Sequence, residues 1–278
     1  MTKPWGLVIF DECQTLPAEE NREIVNYLSA QVKIGLTATP MREDDEIKTL
    51  NYMIGPQLYM GDWKTFVDQG YLANPKCIEI RTKLSERFLQ LEKEYSSEVK
   101  FNKDLLYKIN SNKIKALIYL LDIHKNDNVL VFSDDINVLQ HMAKKLNKPI
   151  LMGDIKYEVR NVIFDLFRQG IIKVLFLSRI GDEAIDLPNA NVAIEVNIQH
   201  GSRKQMLQRL GRIMRQKEAS SSTHYNAVFY TITTKDTREW RYFFKRYKCL
   251  IDEGFQYDLR LFNYADEKGI EDVYVTNK

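Results

Sequence analysis

Two adjacent carboxylates close the first apolar run of this chain: Leu7-Val8-Ile9-Phe10 leads straight into Asp11-Glu12-Cys13-Gln14. A buried strand of this kind delivers its last residues to the carboxyl edge of a parallel sheet, where α/β proteins hold their ligands. One carboxylate there can bind a Mg²⁺ that bridges nucleotide phosphates, and its neighbour can polarise an attacking water. Taken alone, the pattern also fits a polar turn after a strand, and Phe132-Ser133-Asp134-Asp135 has the same look. A second turn, Gly35-Leu36-Thr37-Ala38-Thr39-Pro40, sets two hydroxyls at another strand end, suited to hydrogen-bond such an acidic pair. Arg42-Glu43-Asp44-Asp45-Glu46 is a charged run, and Gly181 to Pro188 forms a further polar loop behind a buried strand.

The most informative stretch is Gln208-Arg209-Leu210-Gly211-Arg212-Ile213-Met214-Arg215. Read as a helix, it puts Leu207, Leu210 and Met214 on one face and Gln208, Arg212 and Arg215 on another. Arg203 to Lys217 holds six basic residues and no acidic one. Two arginines beside a Gln suit a phosphate, because guanidinium grips phosphate oxygens in a bidentate fork. None of the 12 glycines begins a G-x-x-x-x-G-K-[ST] or G-x-G-x-x-G run, so the usual phosphate cradle is not in this sequence.

The elements that must position these residues are read from apolar periodicity. Leu7 to Phe10 and Val32 to Thr37 read as strands around a helix at 18–30 whose inner face is Ile24, Val25 and Leu28, the unit of a parallel α/β sheet. Ser85 to Lys115 is rich in Glu, Lys, Ser, Asn and Tyr and lacks Pro and Gly; it reads as long exposed helix and linker. Strands follow at 129–132, 149–152, 173–177, 192–196 and 227–231, with helices at 114–124, 136–146 and 158–167, enough for a self-sufficient doubly wound domain. The domains expected are 1–82, a helical linker at 83–112, a second domain at 113–265 and a tail at 266–278.

Composition bounds the class. At about 150 residues per domain, 278 residues make about two domains. With 44% hydrophobic and 28% charged residues, the chain is globular rather than disordered or collagen-like. No apolar run approaches the ~18 residues of a membrane span, and no membrane partner is expected. Cys13, Cys77 and Cys249 have no metal-binding spacing and read as reduced thiols. The net charge of +2 does not indicate a globally basic nucleic-acid binder.

In combination and in this order, the motifs resemble the helicase portion of superfamily 2 enzymes. Asp11 to Gln14 resembles motif II, Thr37-Ala38-Thr39 motif III, Val129 to Asp134 motif IV, Ile185-Asp186-Leu187-Pro188 motif V and Gln208 to Arg215 motif VI. Gly35 to Thr39 running into Arg42-Glu43-Asp44 resembles one family more closely, the xeroderma pigmentosum group B (XPB) DNA helicases with their Arg-Glu-Asp motif. Leu50 to Tyr59, Gly70 to Ala73, His200 to Gln205 and Tyr225 to Ala227 fit the same family, and the resemblance spans most of residues 5–258. Cys13-Gln14 departs from the Val-His usual in eukaryotic members.

The resemblance implies an α/β fold of RecA-like parallel sheets: a partial first lobe lacking the P-loop strand, and a complete second lobe. It implies ATP and Mg²⁺ as cofactors, DNA as partner, 3'-5' translocation, and work in excision repair and, within general transcription factor IIH, in promoter opening in the nucleus. Asp11 would ligate Mg²⁺ and Glu12 activate water. Gln14, Thr37 and Thr39 would couple hydrolysis to movement. Gln208 and Asp186 would face the nucleotide, with Arg212 and Arg215 as arginine fingers, a device worth about 10³ to 10⁵ in rate in GTPases. Arg42, Glu43, Asp44, Arg160, Arg179 and Arg203 would serve DNA. The upstream helicase segment with the phosphate-binding loop is then a required partner, and the chain alone is expected to hydrolyse little ATP. Residues 1–82 are expected to be partly ordered or to borrow a partner chain. The alternative is a non-catalytic module that docks on DNA or a repair complex.

Overall fold

The computed structural model describes residues 4–38, 47–95, 103–178, 187, 189–197, 203–217, 225–237, 239–262 and 270–272. The chain divides into two compact units, Met1–Asp62 and Trp63–Lys278. No helix among the described residues is long and apolar enough to cross a membrane.

In the first unit, β1 (Trp5–Phe10) pairs in parallel with β2 (Ala30–Gly35), from Trp5 opposite Ala30 to Phe10 opposite Gly35. The crossover between them is α1 (Glu19–Tyr27), and α2 (Ile47–Met53) follows. Alternation along a strand sends successive side chains to opposite faces. One face meets a small core of Cys13, Leu16 and Val25, packed by Phe10, Leu50, Met53 and Ile54. On the other, Trp5, Leu7, Ile9, Val32 and Ile34 are exposed. The inner face expected for α1 is only partly realised: Val25 is buried, whereas Ile24 is 55% exposed. The helix stops at Tyr27, where Leu28 turns extended (ψ 107°), so the chain can enter β2.

The second unit is built on one sheet. In chain order its elements are α3 (Trp63–Asp68), β3 (Pro75–Thr82), α4 (Glu86–Tyr95), α5 (Lys103–Lys108), α6 (Ser111–Ile123), β4 (Val129–Ser133), α7 (Ile136–Lys145), β5 (Ile150–Leu151) and α8 (Tyr157–Arg168). Then come β6 (Val174–Leu177), β7 (Val192–Asn197), α9 (Arg203–Ile213), β8 (Ala227–Thr234), α10 (Glu239–Asp252), β9 (Gln256–Phe262) and β10 (Ile270–Asp272). The strand order is β10-β9-β3-β8-β7-β4-β6-β5. All neighbours are parallel except β10, which runs antiparallel to β9. The central strands β4, β6 and β7 are buried throughout, as a sheet covered on both faces requires.

Three expectations are corrected. The division falls at Asp62/Trp63 rather than after residue 82, because β3 pairs along its whole length with β8, and from Lys76 to Thr82 with β9, in the second sheet. The Trp63 ring stacks on Phe255 at 4.1 Å and its indole N–H donates to the Glu253 carbonyl at 2.7 Å, so the chain is already committed to this unit at residue 63. The stretch 83–112 is helical in α4 and α5 as expected, but it is not exposed throughout: Leu84, Leu106 and Tyr107 are buried, with Phe88 and Leu91 packed against them. Asn110 then caps α6 and donates to Thr82, Lys83 and Thr234. Finally, β10 lies within the expected tail at 266–278 and joins the sheet. Neither β9 nor α10 is among the elements expected from the sequence; β9 carries Asp258 and Arg260, whose charges pair with Lys76 and with each other.

Candidate functional site

The acidic pair sits where the strand-end argument puts it. β1 ends at Phe10, and Glu12 takes a left-handed conformation (φ 52°, ψ 41°) that breaks the strand into a short turn at Cys13–Thr15. A non-glycine residue there is uncommon and costs on the order of 1 kcal/mol, a strain concentrated at functional sites. The turn is over-determined. The Glu12 N–H donates to Asp11 Oδ1 at 2.9 Å, the Thr15 hydroxyl donates to the Glu12 carbonyl at 2.9 Å, and buried Gln14 donates from Nε2 to Glu12 Oε2. Asp11 is exposed at the strand's carboxyl end. The second turn is tied to the first by backbone: Leu36 N–H donates to Phe10 O at 2.8 Å and Cys13 N–H to Leu36 O at 2.9 Å. That brings half-buried Thr37 to the same edge as Asp11 and Glu12. Gly35 has no room for a side chain, since a Cβ would stand 2.8 Å from Ile54 Cδ1 and 2.9 Å from Cys13 Sγ.

Thr39, Arg42, Glu43, Asp44, Arg179 and Asp186 lie outside the described residues. Arg160 is on α8, where its Nε and Nη2 donate to the Ile155 and Gly153 carbonyls at 2.7 and 2.6 Å, holding the loop after β5. Arg203 opens α9, and its charge partly offsets the burial and the Glu253 carboxylate that push up the Cys249 thiol of α10.

The basic helix differs from its sequence reading in two ways. Its buried face is Met206, Arg209, Leu210 and Ile213, with Leu207 only half-buried. And α9 ends at Ile213: Arg215 lies beyond it in a β-bridge with Leu72, while the Ala73 N–H takes the Met214 carbonyl at 2.8 Å. Gln208 and Arg212 therefore leave from the helix and Arg215 from an extended segment, so the three do not share one helical face. The bridge to 72–73 ends the helix because it claims that backbone for a strand-like partner.

Like charges crowd at this end. Burial, and then Arg168, lower the affinity of Arg215 for its proton. Burial, and then Arg215, push the Lys217 amine down to about 8, although it donates to the Ala190 carbonyl. Arg168 is itself paired with Asp165 at 2.6 Å.

The sequence reading passed over Arg209. It is only 1% exposed, and its guanidinium bridges two carboxylates: Nη1 donates to Glu195 of β7 at 2.9 Å and Nη2 to Asp134 after β4 at 2.8 Å. Arg246 of α10 binds the other Glu195 oxygen, and Phe132 lies under Arg209 at 5.1 Å. The signal was present, since 206, 209, 210 and 213 share an i, i+3, i+4, i+7 face, but an arginine on an apolar face reads as solvated. Beside this network Lys113 is wholly buried, donating to Glu239 at 2.5 Å, Asn197 at 3.0 Å and the Val196 carbonyl at 3.2 Å. Among the described residues, no group of three His, Cys, Asp or Glu could hold a metal. An exposed carboxylate oxygen such as Asp11 still suits Mg²⁺, which takes one or two protein carboxylates and completes its shell with phosphates and water.

A parallel sheet of this order with a basic helix after β7 defines a RecA-like helicase lobe. The fold is matched by S. cerevisiae Dbp5 bound to RNA and ADP BeF3 (TM-score 0.64, 14% identity, 93% of this chain and 61% of that one). It is matched too by the type ISP restriction-modification enzyme LlaBIII bound to DNA (TM-score 0.63, 12% identity, 90% and 20%). At such identities these likenesses show the fold alone. The ERCC3/RAD25/XPB C-terminal helicase model matches residues 66–277, and a model of the type III restriction enzyme res subunit matches 2–42. The chain belongs to the XPB helicase family. It is 39% identical over 259 residues to the Danio rerio transcription and DNA repair factor IIH helicase/translocase subunit XPB, covering 92% of this chain and 33% of that one. It is 38% identical over 258 residues to the S. cerevisiae subunit XPB/SSL2, covering 92% and 30%. The chain thus spans about a third of the length of these relatives.

Proposed function

We propose that the chain supplies the motif II acids and the motif VI arginines of an ATP-driven DNA translocase acting in nucleotide excision repair and transcription initiation, in the nucleus and with partners like the subunits of factor IIH. Asp11 holds Mg²⁺ at the nucleotide phosphates and Glu12 orients the attacking water, its carboxylate steadied by Gln14. Thr37 and Thr39 couple this edge to movement. Gln208 and Asp186 face the nucleotide, and Arg212 and Arg215 neutralise charge that builds on the γ-phosphate, with translocation running 3'-5'. Arg42, Glu43, Asp44, Arg160, Arg179 and Arg203 serve DNA; the carbonyl bonds of Arg160 make its part the shaping of the loop after β5. The phosphate cradle comes from a P-loop-bearing helicase segment, which also covers the apolar face of Trp5, Leu7, Ile9, Val32 and Ile34. The observation that carries the reading is the strained Glu12 turn, held by three hydrogen bonds at a strand's carboxyl end, in a family of helicases. Positioning and electrostatics carry this chemistry, so each half is expected to be nearly inert alone.

The test is to mix the chain with the P-loop-bearing segment of a family member and follow DNA-stimulated ATP hydrolysis. Activity is expected that Asp11→Asn, Glu12→Gln and Arg212→Ala each abolish. A well-folded complex that binds DNA with salt dependence but is indifferent to ATP would overturn the reading in favour of a non-catalytic module.

A further inference from the structure

An arginine that meets a phosphate must leave its helix in a fixed direction. On the inner face of α9, Met206, Leu210 and Ile213 make apolar contacts, which are non-directional. Contacts of that kind do not by themselves fix the roll of a helix about its own axis. Side chains reach about 5–6 Å from a helix axis, so a roll of about 20° swings their tips by about 2 Å. A misplacement of about 1 Å can cost about 10²-fold in rate.

Arg209 supplies the missing direction. Its fork spans Asp134, just past the end of β4, and Glu195 within β7, and Arg246 of α10 holds Glu195 from its other oxygen. Both Glu195 and Arg209 are essentially sealed from water. Well-packed apolar residues in place of buried charges are often neutral or stabilising, so bulk stability is a poor explanation for three such charges. We propose that Arg209, Glu195 and Arg246 are positioning residues, a clamp that fixes the roll of α9 and so the place where Arg212 leaves it and Arg215 follows. None of the three contacts the nucleotide; they act through the two arginines. This rests on the reading of Arg212 and Arg215 as γ-phosphate arginines.

Two readouts test it. In the chain mixed with its P-loop-bearing partner, Glu195→Gln and Arg246→Met are expected to lower kcat about tenfold and Arg209→Lys about 100-fold, with KM for ATP within about twofold, the signature of contacts made only in the transition state. In the 278-residue chain alone, side-chain Nε–Hε NMR resonances of Arg212 and Arg215 are expected to shift in all three variants. Should Arg209→Lys fail to fold, Arg246→Met leaves Arg209 both its carboxylates and keeps the question measurable. Variants that melt earlier yet keep wild-type kcat per folded molecule and leave the two resonances unmoved would overturn the clamp. If the unsubstituted mixture has no ATPase, the functional reading fails instead, and the resonances alone decide the clamp.

Discussion

Replacing Lys113 by Met removes one ammonium from the second unit and keeps the volume. The wild-type amine is fully buried; burial drags its proton affinity down, and Glu239 pulls it back up. It makes three hydrogen bonds, to Glu239, Asn197 and the Val196 carbonyl. Lys113→Met leaves the Glu239 carboxylate buried with the Thr234 N–H still donating to its Oε2 at 2.7 Å. Orphaning one charge of a buried pair costs about 3–5 kcal/mol. For a domain of this size each kcal/mol lowers Tm by about 2–4 °C, giving a loss of about 6–20 °C. In urea, with a slope of about 2–3 kcal/mol per M, the midpoint falls by about 1–2.5 M. The double variant Lys113→Met/Glu239→Gln removes the stranded charge and keeps an acceptor for Thr234, so most of the loss returns. Urea unfolding followed by Trp fluorescence and circular dichroism measures both. A single variant costing under about 1 kcal/mol, or a double variant no better than the single, would refute the claim that charge desolvation governs this site.

Other outcomes follow from the same structure. Gly35→Ala forces a Cβ onto Ile54 and Cys13 and should destabilise the first unit by about 1–3 kcal/mol; adding Ile54→Val removes the nearer clash and should restore part of that in thermal melts. Lys217 titrates near 8 in the fold against an ordinary 10.5, so between these values the unfolded chain holds more protons and stability rises with pH. Its partial exposure moderates the effect through solvent screening. Lys217→Met should flatten the change in urea midpoint between pH 8 and pH 10, and an unchanged slope would count against the burial. Amide exchange should be faster in β1 and β2 than in β4 and β7, because the two-stranded sheet leaves one apolar face to water; equal protection would sink the idea that this face needs a partner.

The strands that carry motif residues were legible because parallel strands buried on both faces read as unbroken apolar runs: Val129–Ser133 and Val174–Leu177 lie within a residue of their expected bounds. Residues 75–82 do not read as a strand in the sequence and fall within its expected first domain, whereas β3 belongs to the second sheet for a topological reason. Its hydrogen bonds reach β8, some 150 residues on, and local pattern cannot say which sheet a strand joins. The motif VI helix was legible as a helix but not in its roll. Arg209 is held as an inner residue by Asp134, just past β4, and Glu195 within β7, which converge on it from separate parts of the chain.

Residue order alone therefore determined the α/β alternation and the carboxylates at strand ends, which follow from local apolar period, and carried the motifs whose resemblance pointed to the family. The tertiary structure decided which sheet holds β3, where α9 stops, and which arginine of the basic helix is turned inward. Those depend on partners 14 to 150 residues distant, and a buried charge is identified only by the opposite charge that meets it.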